Sequence, residues 1–228
     1  MFKYEMHCHT AETSACARVP AADMVDFYKR LGYTGLVITD HFLNGNTTVP
    51  RDLPWRERVE LFMDGYRKAK ARGDEIGLDV FFGWEFSFGA GSDFLTYGLD
   101  ENWLLAHPDC DKLHINDFCD LAHADGAYVS HAHPFREAGY IDIIRLTPRK
   151  VDAVETINAN RTDFENRLAD QYADNYGLTK TCGSDNHAAF QPRYAALELD
   201  FRAGAIREII DAIRAGKHTI KLYGSDEL

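Results

Sequence analysis

Short runs rich in β-branched and aromatic residues alternate with helical periodicities along the chain. Strand-like runs fall at residues 2–6, 35–39, 80–85, 94–98, 127–130, 153–157, 180–183 and 196–199. Between them, residues 21–31 follow Pro20, which suits a first helical turn, with Met24, Tyr28 and Leu31 on one face. Further helices are predicted over 55–72, over 115–125 with Asn116 or Asp117 near the cap, and over 162–176. In the last of these, Phe164, Leu168, Tyr172 and Tyr176 recur every four residues; Ile206, Ile209, Ile210 and Ile213 form a similar stripe near the C-terminus. Both stripes are expected to pack on a sheet. Strand–helix alternation predicts an α/β architecture, a mostly parallel sheet or a barrel. No Ser/Gly-rich linker or charge block divides the chain, so residues 1–228 read as one domain. Predicted loops cover 42–54, 89–93 and 100–113, and the first and third are long enough to border an active site.

The polar residues fall where this pattern gives them meaning. His7 and His9 close the first strand, and a spacing of two puts both on one face. Asp40-His41 closes the second strand and Glu85 the third. His131 and His133 close the fifth, Glu155 the sixth, and Asp185 and His187 follow the seventh. In parallel α/β architectures the carboxyl ends of strands converge on the rim where ligands bind. One His-x-His pair is an ordinary surface feature. Recurrence on strand after strand is what a multinuclear metal site needs, and imidazole with carboxylate suits Zn²⁺, Mn²⁺ or Fe²⁺. His107, His114, His123 and His218 fall in loops or helices, outside that set.

Composition changes the picture in two ways. Thirty-six acids against 25 bases give a net charge of −11, which argues against a long nucleic acid or an anionic membrane as partner. A small phosphorylated substrate survives that objection, because divalent ions bound at the rim would reverse the sign of the charge there. Arg136 is the first candidate to fork onto phosphate oxygens, with Arg18, Arg161 and Arg193 behind it. Cys8, Cys16, Cys110, Cys119 and Cys182 are odd in number and widely spread, a pattern of reduced thiols in a cytoplasm. No stretch approaches the roughly 20 apolar residues of a membrane helix, and the first residues lack the apolar core of a signal peptide.

The ordered set His7-Cys8-His9, Thr39-Asp40-His41, Glu85, His133-Pro134, Glu155 and Gly183-Ser184-Asp185-Asn186-His187 resembles the motifs of the polymerase and histidinol phosphatase (PHP) family, among the amidohydrolase-like barrels. The likeness runs from about Phe2 to His187. It implies a distorted (β/α)7 barrel, a centre of two or three divalent ions, and phosphoester hydrolysis. By that resemblance one ion lies on His7, His9, Glu85 and Asp185; Glu85 bridges to a second, held also by His133; a third sits on His41 and His187. Two departures leave alternatives. The family places a His before the Phe94–Gly98 segment where this chain has Asp93, so Asp93 substitutes, His131 fills the gap, or the second ion loses a ligand. After the first motif the family has an Asp; here Glu12 is the best carboxylate for the third ion and Cys16 a softer ligand favouring zinc. Cys8, between two ligands, reads as core packing.

The implied reaction is attack on phosphorus by a metal-bridging hydroxide, the acidity of its parent water pulled from about 15.7 toward about 7. The substrate would be a small phosphorylated metabolite or nucleotide. Glu85 and His187 carry catalysis together with Asp40, which either orients a ligand histidine or shuttles protons. Glu155 and Asn158 shape the same rim. Two other readings stay open: hydrolysis of a C–N or C–O bond on the same centre, and a metal-binding regulatory module without turnover.

Overall fold

Strand β1 (Phe2–Cys8) starts a sheet whose order is β7-β6-β5-β4-β3-β2-β1-β8-β9. The structure is a computed structural model describing residues 1–89 and 91–227; Ala90, within the predicted 89–93 loop, lies outside the described residues. Strands β2 (Gly35–Ile38) and β3 (Asp79–Ser87) run parallel to β1. Strand β4 (Asp93–Tyr97) is antiparallel to both its neighbours, β3 and β5 (Tyr128–Ala132). The parallel run then resumes through β6 (Ala153–Asn158) and β7 (Thr179–Gly183). Beyond β7 the chain returns to β1: His9 N–H donates to the Asn186 carbonyl at 3.0 Å, and Asn186 N–H to that of His7 at 3.2 Å. This nearly closes a barrel of seven strands, distorted by the reversed β4 and by a β5–β6 connection without a regular helix. Strands β8 (Arg193–Leu199) and β9 (Thr219–Gly224) extend the sheet antiparallel from the other half of β1.

Helix α1 (Ala21–Arg30) forms as its pattern predicts. The predicted 55–72 helix is two, α2 (Trp55–Phe62) and α3 (Asp64–Ile76), which meet at Met63. The 100–113 segment is not a plain loop but contains α4 (Glu101–Ala106), capped by the Asp100 side chain on Trp103 N–H. α5 (Ile115–Ala124) is capped by His114 rather than Asn116 or Asp117. α6 (Asp163–Tyr176) starts in a Thr162/Glu165 capping box, yet Phe164 and Tyr176 are exposed and the buried face is Glu165, Ala169, Tyr172 and Ala173. A four-residue spacing drifts about 40° per step around a helix, so such a stripe wraps away from the sheet within three steps. α7 (Ile206–Arg214) buries Ile209, Ile210 and Ile213 among Tyr4, Tyr97 and Tyr128. A second core packs Phe42, Phe62, Trp84, Phe86 and Phe118 on the other side of the sheet.

Two features of this frame place the functional residues. Pairing of β1 with β2 shifts register between Glu5 and Cys8, so Met6 belongs to the core with Tyr97 while Cys8 packs against Ala21, Met24 and Tyr28. Because β4 is antiparallel, its first residue, Asp93, stands at the rim formed by the carboxyl ends of the parallel strands. The segment that follows β4 leaves from the opposite end.

Candidate metal centre

His7, His9, His41, Glu85, His133, Asp185 and His187 converge at that rim. Their ligand atoms form three overlapping groups, each within 4.8 Å: His7, Glu85 and His133; His7, His9 and Asp185; His9, His41 and His187. His7 Nε2 is 3.3 Å from Glu85 Oε1 and 3.6 Å from Asp185 Oδ1, and His9 Nε2 is 3.5 Å from the same Asp185 oxygen. Such separations are long for hydrogen bonds. They match the roughly 3.3 Å between two ligands on one tetrahedral ion with bonds near 2.0–2.1 Å. His7 Nε2 and His9 Nε2 are buried and have no hydrogen-bond partner among the described residues. A buried polar atom without a partner is costly, and here both sit beside two carboxylates. The donor set therefore fits divalent cations. Backbone strain marks the same place, because His133 (φ 27°) and Asp185 (φ 52°) both lie in the left-handed region.

Outer hydrogen bonds fix which nitrogen of each ring faces inward. Glu155 Oε1 accepts from His7 Nδ1 at 2.9 Å, while Oε2 accepts from His133 N–H at 3.0 Å and Asn158 Nδ2 at 2.8 Å. His9 Nδ1 meets Ser14 Oγ at 3.1 Å, and Ser14 donates to Asp40 Oδ1 at 2.7 Å. His187 Nδ1 donates to the Asp185 carbonyl at 3.0 Å, and His41 Nδ1 lies 2.6 Å from Glu85 Oε2. In His7, His9 and His187 Nε2 is left for the centre, which is how second-layer groups set the tautomer of a ligating histidine, whereas His41 turns Nδ1 to Glu85 and Nε2 to Cys16. Gly183 allows the tight fit behind His7: a Cβ there would collide with His7 and Glu155. Burial alone would raise the Glu85 carboxyl, but His41 and His7 outweigh it and hold Glu85 well below the usual carboxylate range. His9 is held well below an ordinary histidine by its burial, then by His187 and His41.

Several predicted residues stand elsewhere. His131 is stacked on Phe94 at 4.6 Å with Tyr172 edge-on, and it joins none of the ligand groups. The strand ends at Ala132 and the chain turns at His133, so the two-residue parity that linked the pair is broken. Burial and His133 bring the His131 imidazole down to about 3. Glu12 turns away from the centre: its carboxylate accepts from Ala21 N–H at 2.9 Å, at the start of α1, and lies 3.7 Å from Lys68. Cys16 stands in its place, 3.1 Å from His41 Nε2. Asp40 is buried and bonded to Thr10 and Ser14, so it does not reach the reaction space and acts on His9 through Ser14. Arg193 pairs with Asp163 and the Arg161 carbonyl, outside the cavity.

A cavity of about 520 Å³ opens over the centre, lined by Cys16, Arg18, His41, Asn46, Glu85, Asp93, Arg136, Tyr140, Asn160, Arg161, Asp185 and His187 among others. Asp93 therefore faces it, 3.9 Å from Arg136, without joining a ligand group. The 42–54 segment contributes Asn46, but the 100–113 segment contributes nothing, since the reversed β4 delivers it to the far end. Ser14, Tyr140 and Asn160 are missed by sequence reasoning. Ser14 has only its place in the hydroxyl-rich 10–14 turn as a signal, and Tyr140 lies in a stretch with no periodicity.

The PHP-associated family model matches residues 163–218, and no curated protein matches the chain by sequence. Among solved structures, the fold is shared with a two-domain protein containing a predicted PHP-like metal-dependent phosphoesterase from Bacteroides vulgatus (TM-score 0.73, 16% identity, 96% of this chain and 64% of that one). PsfC from Pseudomonas syringae is similar over 99% of this chain and 93% of its own (TM-score 0.66, 18% identity). The lesion-specific endonuclease PfuEndoQ from Pyrococcus furiosus is similar over 96% and 57% (TM-score 0.63, 12% identity). The chain thus spans less than two thirds of the Bacteroides and Pyrococcus proteins. The chain is therefore similar to PHP-like proteins in its fold, and its 163–218 segment matches the PHP-associated model.

Proposed function

We propose that residues 1–228 act as one hydrolase domain, a metal-dependent phosphoesterase for a small phosphorylated metabolite or nucleotide. The observation that carries this reading is the convergence of five histidines and two carboxylates, two ring nitrogens of them buried and unpartnered, beneath a cavity that three arginines also line. His7, His9, Glu85 and Asp185 would hold one ion, Glu85 and His133 a second, and His41 and His187 a third. When bound, such ions supply Lewis acidity and a nucleophilic water at neutral pH.

The chain's own groups do the rest. Arg136, Arg18 and Arg161 bind and orient phosphate oxygens through charge-assisted hydrogen bonds. Glu155 and the Ser14–Asp40 pair hold His7 and His9 with Nε2 presented inward. His187, anchored through Nδ1, presents Nε2 to the cavity, where it can hold an ion or hand a proton to the leaving oxygen.

Likeness to an endonuclease raises nucleic acid as a second substrate class, since the fold itself does not oppose it. A net charge of −11 and a cavity of about 520 Å³ favour the small substrate. The test is phosphate release from a panel of small phosphomonoesters by protein reconstituted with Mn²⁺ or Zn²⁺, beside a lesion-bearing DNA duplex. Release from the small esters, abolished by a chelator and by Asp185→Ala, is expected. Folded, metal-replete protein that releases phosphate from none of the panel would defeat the reading, and cleavage of the duplex alone would transfer it to nucleic acid.

A further inference from the structure

We propose that Cys16 is a thiolate ligand of the outermost ion, making that position a soft site beside inner positions built from nitrogen and oxygen. The inference rests on the metal centre described above and goes beyond it in assigning a donor and a class of cation: Zn²⁺ or Co²⁺ in preference to Mn²⁺. Three observations converge. Cys16 Sγ is 3.1 Å from His41 Nε2. The His187 ring is turned for the task, because its Nδ1 is engaged by the Asp185 carbonyl and its Nε2 is left free, while His41 Nε2 already faces the sulfur. The carboxylate that sequence reasoning assigns to this position, Glu12, is committed to Ala21 N–H.

Bond lengths support the arrangement. Zinc–sulfur and zinc–nitrogen bonds near 2.3 and 2.0–2.1 Å place two tetrahedral ligands about 3.5 Å apart. Cys16 therefore has to retreat by a few tenths of an ångström, and it lies in an exposed turn rather than in the packed core. Two imidazoles and a thiolate leave one position open toward the cavity, as in catalytic rather than structural zinc sites. Thiolate donors select zinc-like and copper-like ions over manganese. The thiol proton is released to solvent when the ion binds.

The test loads metal-free protein with Co²⁺ while the near-ultraviolet spectrum and the ions bound per chain are followed together. A thiolate-to-cobalt charge-transfer band is expected, absent in Cys16→Ser and in Cys16→Asp. Cys16→Asp should keep the ion count yet invert the preference between Zn²⁺ and Mn²⁺. Because a serine variant could lose the band by misfolding, the wild-type protein is also probed with iodoacetamide: bound Zn²⁺ should protect Cys16 from alkylation. If cobalt fills the centre with no band sensitive to Cys16, or if zinc leaves the alkylation rate unchanged, the proposal is overturned while the hydrolase reading stands. If fewer than about one ion binds per chain, the centre itself fails and takes this proposal with it.

Discussion

Glu155→Gln is the sharpest test of how the centre is held, because it changes one oxygen to an amide and almost no volume. Glu155 is fully buried and accepts three hydrogen bonds, from His7 Nδ1, His133 N–H and Asn158 Nδ2, at 2.8–3.0 Å. A glutamine satisfies only one side of this arrangement. With its carbonyl toward His7, its NH₂ faces two donors. With its NH₂ toward His7, the ring must accept at Nδ1 and carry its proton on Nε2, where it cannot ligate. Either way a hydrogen bond to a charged acceptor is lost, about 1.5–3 kcal/mol. That corresponds to roughly ten- to a hundredfold in metal affinity, the range found when such outer carboxylates are removed. The assay is competition for Zn²⁺ against a chelating dye, with circular dichroism to show that the barrel is intact. Folded Glu155→Gln that binds zinc within about twofold of wild type would refute the argument that Glu155 sets the His7 tautomer.

Four further outcomes follow from the same geometry. Arg136→Ala should lower kcat/KM for phosphomonoesters by about ten- to a hundredfold, the worth of a charge-assisted hydrogen bond, and leave the ion count unchanged in elemental analysis. Glu12→Ala should cost about 0.5–2 kcal/mol in chemical denaturation, as expected for loss of a helix cap, again without loss of metal. His131→Leu should keep its metal and its thermal stability, because both ring nitrogens of His131 lack partners among the described residues; a drop in bound ions would restore His131 as a ligand. In the metal-free native protein Ellman's reagent should react quickly with one of the five thiols. Cys16 is exposed while the other four are buried, and burial pushes Cys110 and Cys119 up to about 12.

The ends of strands were the legible part of this sequence, because a spacing of two on an extended backbone fixes which side chains share a face. Alternation of strand and helix gave the α/β class, and the barrel came from the resemblance of the rim motifs. What escaped was set by distant partners or local breaks in regularity. Whether Glu12 or Cys16 turns inward depends on the free N–H groups of α1, which draw Glu12 to Ala21. His131 and His133 share a parity on paper, and the turn at His133 dissolves it. The 100–113 segment looked like a border of the site, yet its end of the barrel depends on β4 running backwards, which no hydrophobic pattern announces. β9 was missed although half-buried Ile220 and Leu222 alternate with exposed Thr219 and Lys221, a weak signal on an edge strand.

A multinuclear centre at the barrel rim has to hold its ions. Its most direct test is the number of divalent ions retained per chain after reconstitution and exhaustive dialysis, measured by elemental analysis on wild type and on Asp185→Ala. At least two ions per wild-type chain are expected, and fewer in the variant. Wild-type protein that is folded and retains under about one ion per chain would contradict that expectation.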